Sequence, residues 1–340
     1  MRFLALPLTL VVWCRFDLQT FSPYHYRNWQ TALYRLLCVW CGKISRNLNW
    51  NTKHIFIKMS EGKKEILLGD SLSIMKQIKS SSIGLIFTSP PYADRRKNTY
   101  GGIPENKYVE WITPYIEEMV RVLKPNGSIF INIKPHTNNG ERSLYVFDLI
   151  LHLKRELGLM FIDEYCWTKL GVPGKFNGRF KNAFEPIYHF ALNKGFTFNR
   201  YAVAEKAKEA SLKRYKRKAC GESKNGSGFA GMRKEIISDL ALPSNHLHIV
   251  QKSNQYTIQS NHSAVFPVEL SDFFIKAFSN VNDIILDPFA GSGTVAISCI
   301  KNKRNYIMID KEEGYINLIK KRVADFNKKF ETQTLFGNDM

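Results

Sequence analysis

Cysteine is scarce in this sequence of 340 residues, which contains only six. Apart from the close pair Cys38 and Cys41 they are scattered, so the sequence predicts neither a disulfide framework nor a four-ligand zinc site. We therefore expect no metal centre. Cysteine used in this way is typical of a reducing compartment, and we expect a cytoplasmic protein.

Long apolar runs are missing as well. Phe3–Cys14 is apolar, but it is interrupted by Pro7 and is too short for a membrane span. No small-residue cleavage site follows it, so we expect neither export nor a membrane partner. The chain also lacks internal repeats, a helix-turn-helix and a zinc-binding module, which excludes repeat architectures and the standard DNA-reading modules.

Acidic side chains are few beside the basic ones: 30 Asp and Glu stand against 49 Lys and Arg, a formal net charge of +19. Such an excess informs about partners and solubility rather than fold. A basic protein of this size commonly binds nucleic acid, and a generally basic proteome is the alternative explanation. The length suits one large α/β domain with an insertion, or two small domains.

One short apolar run, Ser82–Phe87, is rich in β-forming residues and predicts a buried strand. It leads into Thr88-Ser89-Pro90-Pro91-Tyr92, where two prolines forbid further strand or helix. Ser89 and Tyr92 therefore lie on a stiff corner at the carboxyl end of a strand, where open α/β sheets bind ligands. A hydroxyl, free carbonyls and an aromatic face suit a planar group that carries an NH₂. A surface Pro-Pro turn is the alternative.

A second stretch, Asn282–Thr294, predicts a strand, a tight glycine turn and the start of a helix. Gly291 and Gly293 let a ligand approach the backbone, and the helix N-terminus favours polar or anionic groups. The next predicted strand ends at Asp310, which follows Asp287 at about the twenty-residue spacing of a ribose-binding carboxylate. The alternative for Asp310 is the N-cap of the following helix.

Together the two stretches resemble the S-adenosylmethionine-dependent DNA methyltransferases that modify amino groups. Thr88–Tyr92 is similar to the catalytic motif of that family, and Asp287–Thr294 is similar to its cofactor motif. The catalytic motif comes first, as in the permuted beta order of the family. Leu67–Ser71 resembles the segment whose acid lies near the cofactor adenine, and Asn261–Pro267 resembles the segment before the cofactor strand. The resemblance spans about Lys64 to Phe330.

This resemblance implies a Rossmann-like α/β fold, with a mostly parallel seven-stranded sheet, helices on both faces and an inserted target-recognition region. It implies methyl transfer from S-adenosylmethionine to the N4 amine of a cytosine flipped out of double-stranded DNA. Serine before Pro-Pro-Tyr favours cytosine N4, and adenine N6 is the alternative because nothing physical excludes it. No cysteine follows a proline, which disfavours carbon-5 cytosine methylation. A non-catalytic DNA-binding module on the same scaffold is a further alternative, which the intact motifs disfavour.

The implied roles fall on two sets of residues. In the catalytic set Ser89 Oγ and the Pro90 carbonyl accept hydrogen bonds from the amine, Pro91 stiffens the corner and Tyr92 stacks on the base. The implied cofactor-binding residues are Asp70, Ser71, Phe266, Pro267, Asp287, Pro288, Phe289, Gly291, Ser292, Gly293, Thr294 and Asp310.

Basic segments with interleaved aromatic or glycine residues are predicted to contact DNA phosphates. They lie on a polar loop after the catalytic motif, on a glycine-rich segment before Glu185, and in the basic run Glu205–Lys234. Solvated surface loops are the alternative. The predicted DNA-binding residues are Arg95, Arg96, Lys175, Arg179, Lys213, Arg214, Lys216, Arg217 and Lys218.

These segments predict a division of the chain. Residues 59–195 form the catalytic half of the methyltransferase domain, 196–250 the target-recognition insertion, and 251–330 the cofactor-binding half. Residues 1–58 precede the resemblance, so we expect translation to begin at Met59, with a genuine helical extension as the alternative. Residues 331–340 are expected to fray. A cognate restriction endonuclease and the choice between monomer and homodimer stay open.

The remaining predicted elements follow from apolar periodicity. The main helix of Tyr108–Leu123 is expected to begin at Pro114, and Lys124–Gly127 to form a turn. The other strands and helices are predicted at Glu65–Leu68, Ser71–Ile78, Ser128–Ile133, Ser143–Leu157, Phe161–Lys169, Glu185–Ala191, Ile284–Leu286, Val295–Lys301, Asn305–Ile309 and Lys311–Phe330.

Overall fold

The computed structural model describes residues 64–94, 102–138, 140–169, 178, 180–207, 209, 239–249 and 266–335, with side chains as far as 329. All of these belong to one compact unit, Ile57–Met340. The predicted extension 1–58, residues 208 and 210–234 of the basic run, and Asn261–Val265 lie outside the described residues. Within the described ranges, no helix combines the length and apolar composition that crossing a bilayer requires.

The strands alternate with helices along the chain, as expected for an α/β fold. In the described ranges the strands are β1 (Lys64–Leu68), β2 (Ile83–Thr88), β3 (Leu123–Asn132), β4 (Thr137–Asn138), β5 (Glu141–Arg142), β6 (Met160–Thr168), β7 (Phe184–Ala191), β8 (Glu205–Lys206), β9 (Leu240–Ala241), β10 (His246–Leu247), β11 (Ile284–Asp287) and β12 (Asn305–Asp310). The helices are α1 (Ser71–Met75), α2 (Tyr108–Val122), α3 (Tyr145–Arg155), α4 (Val268–Phe278), α5 (Thr294–Lys301) and α6 (Glu313–Leu335).

The central sheet has eight strands in the order β1-β12-β11-β2-β3-β7-β6-β10. Adjacent strands are parallel throughout the sheet, except that β7 runs antiparallel to both of its neighbours, β3 and β6. The predicted mostly parallel sheet is confirmed, and the two-residue strand β10 extends it by one strand beyond the expected seven. Because β10 falls within 196–250 and pairs with β6, this part of the predicted insertion is built into the main sheet.

Helices cover both faces of the sheet, as predicted. On one face, Ile86 and Ile129 pack in a cluster with buried residues of α1, α2 and α3. On the other face, Phe87 and Phe130 pack with α4, α5 and α6. Neighbouring strand residues thus enter opposite clusters, which is the period of two that a strand buried on both faces requires.

Three local features differ from the expectation. Helix α2 begins at Tyr108 and continues through Pro114, because the buried side chains of Tyr108 and Ile112 anchor the turn before the proline. Strand β3 begins at Leu123 and accommodates the predicted turn as an irregularity in its pairing with β2. The apolar periodicity predicts no element for Val268–Phe278. This segment forms α4, which buries an aromatic and aliphatic face.

The connections diverge between β11 and β2. These strands are neighbours, but β11 continues to β12 on one side and β2 continues to β3 on the other. An open sheet binds its ligands in the crevice that such a divergence leaves at the carboxyl ends of the strands. Both predicted motifs start at that point.

Candidate active site

A hydrogen bond joins the two motifs. The hydroxyl of Thr88, at the end of β2, donates to Asp287 Oδ1, at the end of β11, over 2.7 Å. The backbone N–H of Phe289 donates to the same oxygen at 3.1 Å. Segments that are 199 positions apart in the chain therefore meet at one buried carboxylate.

Burial dominates the electrostatics of that carboxylate. It raises the pKa of Asp287 to about 7, although the bonds from Thr88 and Phe289 lower it, and the charge of Asp310 raises it further. A carboxyl group of this kind changes its charge near neutral pH, so a cation bound in the crevice would favour its ionised form.

Helix α2 supports the proline corner that follows β2. Pro90 and Pro91 are buried, and the Tyr108 hydroxyl of α2 donates to the Pro91 carbonyl at 2.9 Å. Ser89 and Tyr92 are half-buried, so their side chains stay at the surface of the crevice. The structure therefore presents the predicted hydroxyl and aromatic ring on a stiff support.

The glycine turn after β11 has the backbone that its sequence predicts. Gly291 and Gly293 have φ of 51° and 74°, in the left-handed region that side chains disfavour. A Cβ on Gly293 would lie 2.7 Å from Ile319 of α6, whereas one on Gly291 would have only the Phe289 carbonyl nearby, at 3.9 Å. The first glycine thus faces open space, and the second permits close packing of helix on turn.

Asp310 connects this turn to β12. Its Oδ2 accepts from the N–H of Gly291 at 2.8 Å, and its Oδ1 accepts from the N–H of Glu312 at 3.0 Å. Helix α6 begins at Glu313, so Asp310 is not its N-cap residue. The carboxylate is held rigidly beside the turn, and its role as a ribose acceptor stays a prediction.

A cavity of about 130 Å³ opens beside these residues. Three aromatic rings form one wall, with ring centroids 5.2 Å apart for Trp111 and Tyr115 and 5.5 Å apart for Tyr115 and Phe289. The cavity is lined by Asp70, Ser71, Trp111, Tyr115, Pro288, Phe289, Asp310 and Lys311.

Hydrogen bonds order the floor of the cavity. Asp70 Oδ2 accepts from the N–H of Ser73 at 2.9 Å and caps α1, while its Oδ1 accepts from the Tyr115 hydroxyl at 3.1 Å. Ser71 Oγ donates to the Pro288 carbonyl. Burial raises the pKa of Tyr115 to about 12, with the Asp70 charge adding to the effect, so this hydroxyl stays protonated as a donor.

The structure brings most of the predicted cofactor residues together. Asp70, Ser71, Pro288, Phe289 and Asp310 line the cavity. The rest of the motif, Gly291–Thr294, forms the adjoining turn and the start of α5. Phe266 instead packs against Phe87 at 5.3 Å between ring centroids, and neither it nor Pro267 is among the described residues of the lining.

Sequence reasoning missed three residues of the cavity: Trp111, Tyr115 and Lys311. The two aromatic residues are four positions apart on α2, a spacing that places them on one helical face. That spacing was a usable signal, but their contact with Phe289 depends on long-range packing. None of the predicted DNA-binding residues lies in the described ranges.

The residues present fit the adenosyl part of S-adenosylmethionine. Aromatic faces suit a purine, and the carboxylates of Asp70 and Asp310 can accept from an amine and from ribose hydroxyls. The glycine turn admits a ligand close to its backbone. The fold and this site together define the class: an S-adenosylmethionine-dependent methyltransferase.

The chain belongs to the family of DNA methylases that act on N6 and N4 amines, whose family model matches residues 83–321. It is 26% identical to the type II methyltransferase M.PvuII of Proteus hauseri, over 76% of this chain and 83% of that protein. It is 29% identical to the DNA adenine methyltransferase YhdJ of Escherichia coli strain K12, over 75% of this chain and 81% of that one.

Solved structures agree on the fold. The PvuII DNA methyltransferase, described as cytosine-N4-specific, superposes with a TM-score of 0.57 at 23% identity, over 79% of this chain and 96% of that one. A DNA modification methylase of Thermus thermophilus, complexed with S-adenosylmethionine, gives a TM-score of 0.53 at 19% identity, over 77% and 94%. The fold agrees with the family match over residues 83–321, which shows that the chain is a DNA amino-methyltransferase of the N4/N6 type.

Proposed function

We propose that this enzyme methylates the N4 amine of cytosine. The observation that carries the proposal is Ser89, a hydroxyl on the rigid Pro90-Pro91 corner, where a carboxylate or an amide is the other option in the family. An uncharged hydroxyl accepts one hydrogen bond from the amine without adding a negative charge beside the ring. Adenine N6 is the second candidate, because one relative is named as a DNA adenine methyltransferase. A solved structure similar to this chain is described as cytosine-N4-specific, which agrees with the first candidate.

The task of the corner is to hold the amine. An exocyclic amine is a poor nucleophile because its lone pair is delocalised into the ring. If Ser89 Oγ and the Pro90 carbonyl each accept one N–H, the lone pair can turn out of the ring plane. S-adenosylmethionine, when bound, supplies the electrophilic methyl group on its sulfonium. The chain then contributes by orientation, which requires no covalent intermediate.

The supports around the corner suit this task. The Tyr108 hydroxyl donates to the Pro91 carbonyl and adds to the stiffness that the two prolines give the corner. Tyr92 is half-buried against the core and offers a face for stacking, a contact worth about 1–3 kcal/mol per base. The base reaches this pocket only after it leaves the duplex.

We also propose that the predicted basic segments contact DNA and that residues 196–250 form the target-recognition region. Phosphate contacts of that kind supply affinity without sequence information. Relatives of this chain are named both as type II methyltransferases and as an orphan methyltransferase, so a restriction-modification role is part of the proposal and a partner endonuclease is a separate question.

Analysis of the methylated product tests the proposed base. The purified chain, unmethylated genomic DNA and labelled cofactor are incubated, and the DNA is digested to nucleosides and separated. We expect labelled N4-methylcytosine, and strongly reduced label with Ser89→Ala. Labelled N6-methyladenine would overturn the base assignment, and no label in either nucleoside would overturn the proposed activity.

A further inference from the structure

Three potential metal ligands meet beside the catalytic corner. Asp94 lies two residues after Tyr92, Glu105 begins the 3₁₀ turn that precedes α2, and His136 follows the end of β3. One ligand atom from each residue lies within 4.8 Å of the other two. His136 Nε2 is 3.8 Å from Asp94 Oδ2 and 3.8 Å from Glu105 Oε2.

The histidine is the unusual member of this cluster. Its side chain is only 9% exposed, and its Nδ1 is buried without a hydrogen-bond partner. Its Nε2 points between the two carboxylates, yet 3.8 Å is longer than an N–H···O hydrogen bond. A buried polar ring that bonds neither of its neighbours lacks the compensation that burial normally requires.

The carboxylates are also uncompensated within the described residues. Lys107, the described basic residue nearest to Glu105 in sequence, pairs with Glu110 at 3.3 Å rather than with Glu105. Asp94 and Glu105 keep 41% and 46% of their side chains exposed, which leaves a route from solvent into the cluster. Two like charges this close repel each other unless a cation lies between them.

We propose that Asp94, Glu105 and His136 bind a divalent transition-metal cation, with water completing its coordination. Nitrogen and oxygen ligands at about 2.0–2.2 Å from a metal stand roughly 3.0–3.5 Å apart. Closing the two 3.8 Å distances from His136 Nε2 to that range therefore takes side-chain movements of less than about 1 Å. One imidazole with two carboxylates suits cations such as Mn²⁺ and Zn²⁺.

A cation here would connect three segments around the catalytic corner. The backbone N–H of Asp94 donates to the carbonyl of Ile103 over 2.8 Å, so the two ends of the segment between them are already joined. The cation would add β3 to that closure through His136. It would therefore stabilise the backbone that follows Tyr92 and neutralise two carboxylates where phosphates approach.

Binding of Mn²⁺ tests the proposal, since Mn²⁺ has little affinity for the free cysteines of the chain. The full chain is treated with chelator, dialysed and titrated with Mn²⁺, and bound ion is followed by electron paramagnetic resonance. We expect one saturable site, and a rise in the thermal midpoint of about 5 °C at a hundredfold excess over Kd.

Conservative variants locate the site. Asp94→Asn, Glu105→Gln and His136→Gln should each weaken Mn²⁺ binding at least tenfold, while the controls Glu110→Gln and His152→Gln should bind like wild type. Asp94→Asn is the safest of these for folding, because Asp94 has a φ of 53° and asparagine tolerates that region. No saturable Mn²⁺ or Zn²⁺ site, or wild-type affinity in all three ligand variants, would overturn the proposal.

Discussion

The loops after β2 and β11 leave neighbouring strands at the same edge of the sheet, yet they are built in opposite ways. The loop after β2 is stiffened by Pro90 and Pro91. Proline lacks a backbone N–H, and its ring fixes φ near about −65°. The loop after β11 uses Gly291 and Gly293 at positive φ, and its backbone N–H groups are engaged. One loop presents a side chain and carbonyls, whereas the other presents bare backbone.

The difference corresponds to two kinds of work. Accepting hydrogen bonds from an amine requires an acceptor held at a fixed position, and a proline corner gives that. Admitting a cofactor requires the absence of side chains, and a glycine turn gives that. We therefore expect changes at β2 to affect rate, and changes at β11 to affect binding or stability.

The largest effect on stability should come from Gly293→Ala. The added Cβ would meet Ile319 at 2.7 Å in a backbone that already disfavours a side chain. Strain and overpacking together should lower the free energy of unfolding by about 3 kcal/mol. Denaturant unfolding of the apo protein measures this, with Gly314→Ala as the control because a Cβ there has no neighbour within 4 Å. Equal stability of the two variants would mean that α6 does not pack on the turn as described.

Breaking the bond between the loops should have the next largest effect. Thr88→Val keeps the shape of the side chain but leaves buried Asp287 without its 2.7 Å donor. The free energy of unfolding should fall by about 1–2 kcal/mol, because the buried acceptor loses one of its two donors and keeps the N–H of Phe289. Chemical denaturation reports the loss. A Thr88→Val protein as stable as wild type would show that the two loops are held together by other contacts.

Stability should also depend on pH through Asp287. Its pKa in the folded protein is about 7, against an ordinary value of 3.8, so the folded state keeps this proton longer than the unfolded state. The stabilisation is complete below pH 4 and is lost as the pH rises toward 7, with a slope of at most about 1.4 kcal/mol per pH unit. The thermal midpoint of wild type should therefore fall relative to that of Asp287→Asn as the pH rises from about 4 to 7. Parallel pH profiles for the two proteins would contradict the raised pKa.

The smallest effect is expected for Tyr108→Phe. This change removes the 2.9 Å bond to the Pro91 carbonyl and keeps the buried ring. It should lower the free energy of unfolding by about 1 kcal/mol, and the chemical step should slow only a few-fold because the prolines still stiffen the corner. Single-turnover rates measure the second effect. A rate that falls as far as in Ser89→Ala would mean that the tyrosine, and not the prolines, keeps the corner rigid.

Local chemistry made much of this architecture predictable. Consecutive prolines and the Gly-x-Gly turn restrict φ directly, so both loops could be placed from sequence. The apolar run Ser82–Phe87 is long enough for a strand and too short for a helix, and the observed strand is Ile83–Thr88. The family resemblance then supplied the mostly parallel sheet with helices on both faces, which periodicity alone does not contain.

Contacts between distant segments were not predictable in the same way. The wall of Trp111, Tyr115 and Phe289 forms only when α2 packs beside the β11 turn. Asp310 was placed by spacing, but its bond to the N–H of Gly291 appears only in the structure. The start of α2 was predicted at Pro114 but lies at Tyr108, because tertiary packing overrode the preference of proline for the first turn of a helix. The cluster of Asp94, Glu105 and His136 has no motif spacing at all, and no metal centre was expected.

The most direct test measures cofactor affinity and methyl-transfer rate on the same two variants. Ser89→Ala should bind S-adenosylhomocysteine like wild type in calorimetry, while its single-turnover rate at saturating cofactor falls ten- to several-hundred-fold, the effect of one lost hydrogen bond of about 1.5–3 kcal/mol. Gly291→Ala, whose Cβ enters open space, should lose at least tenfold in affinity and keep most of its rate at saturation. A wild-type rate in Ser89→Ala, or wild-type affinity in Gly291→Ala, would contradict this division of work between the two loops.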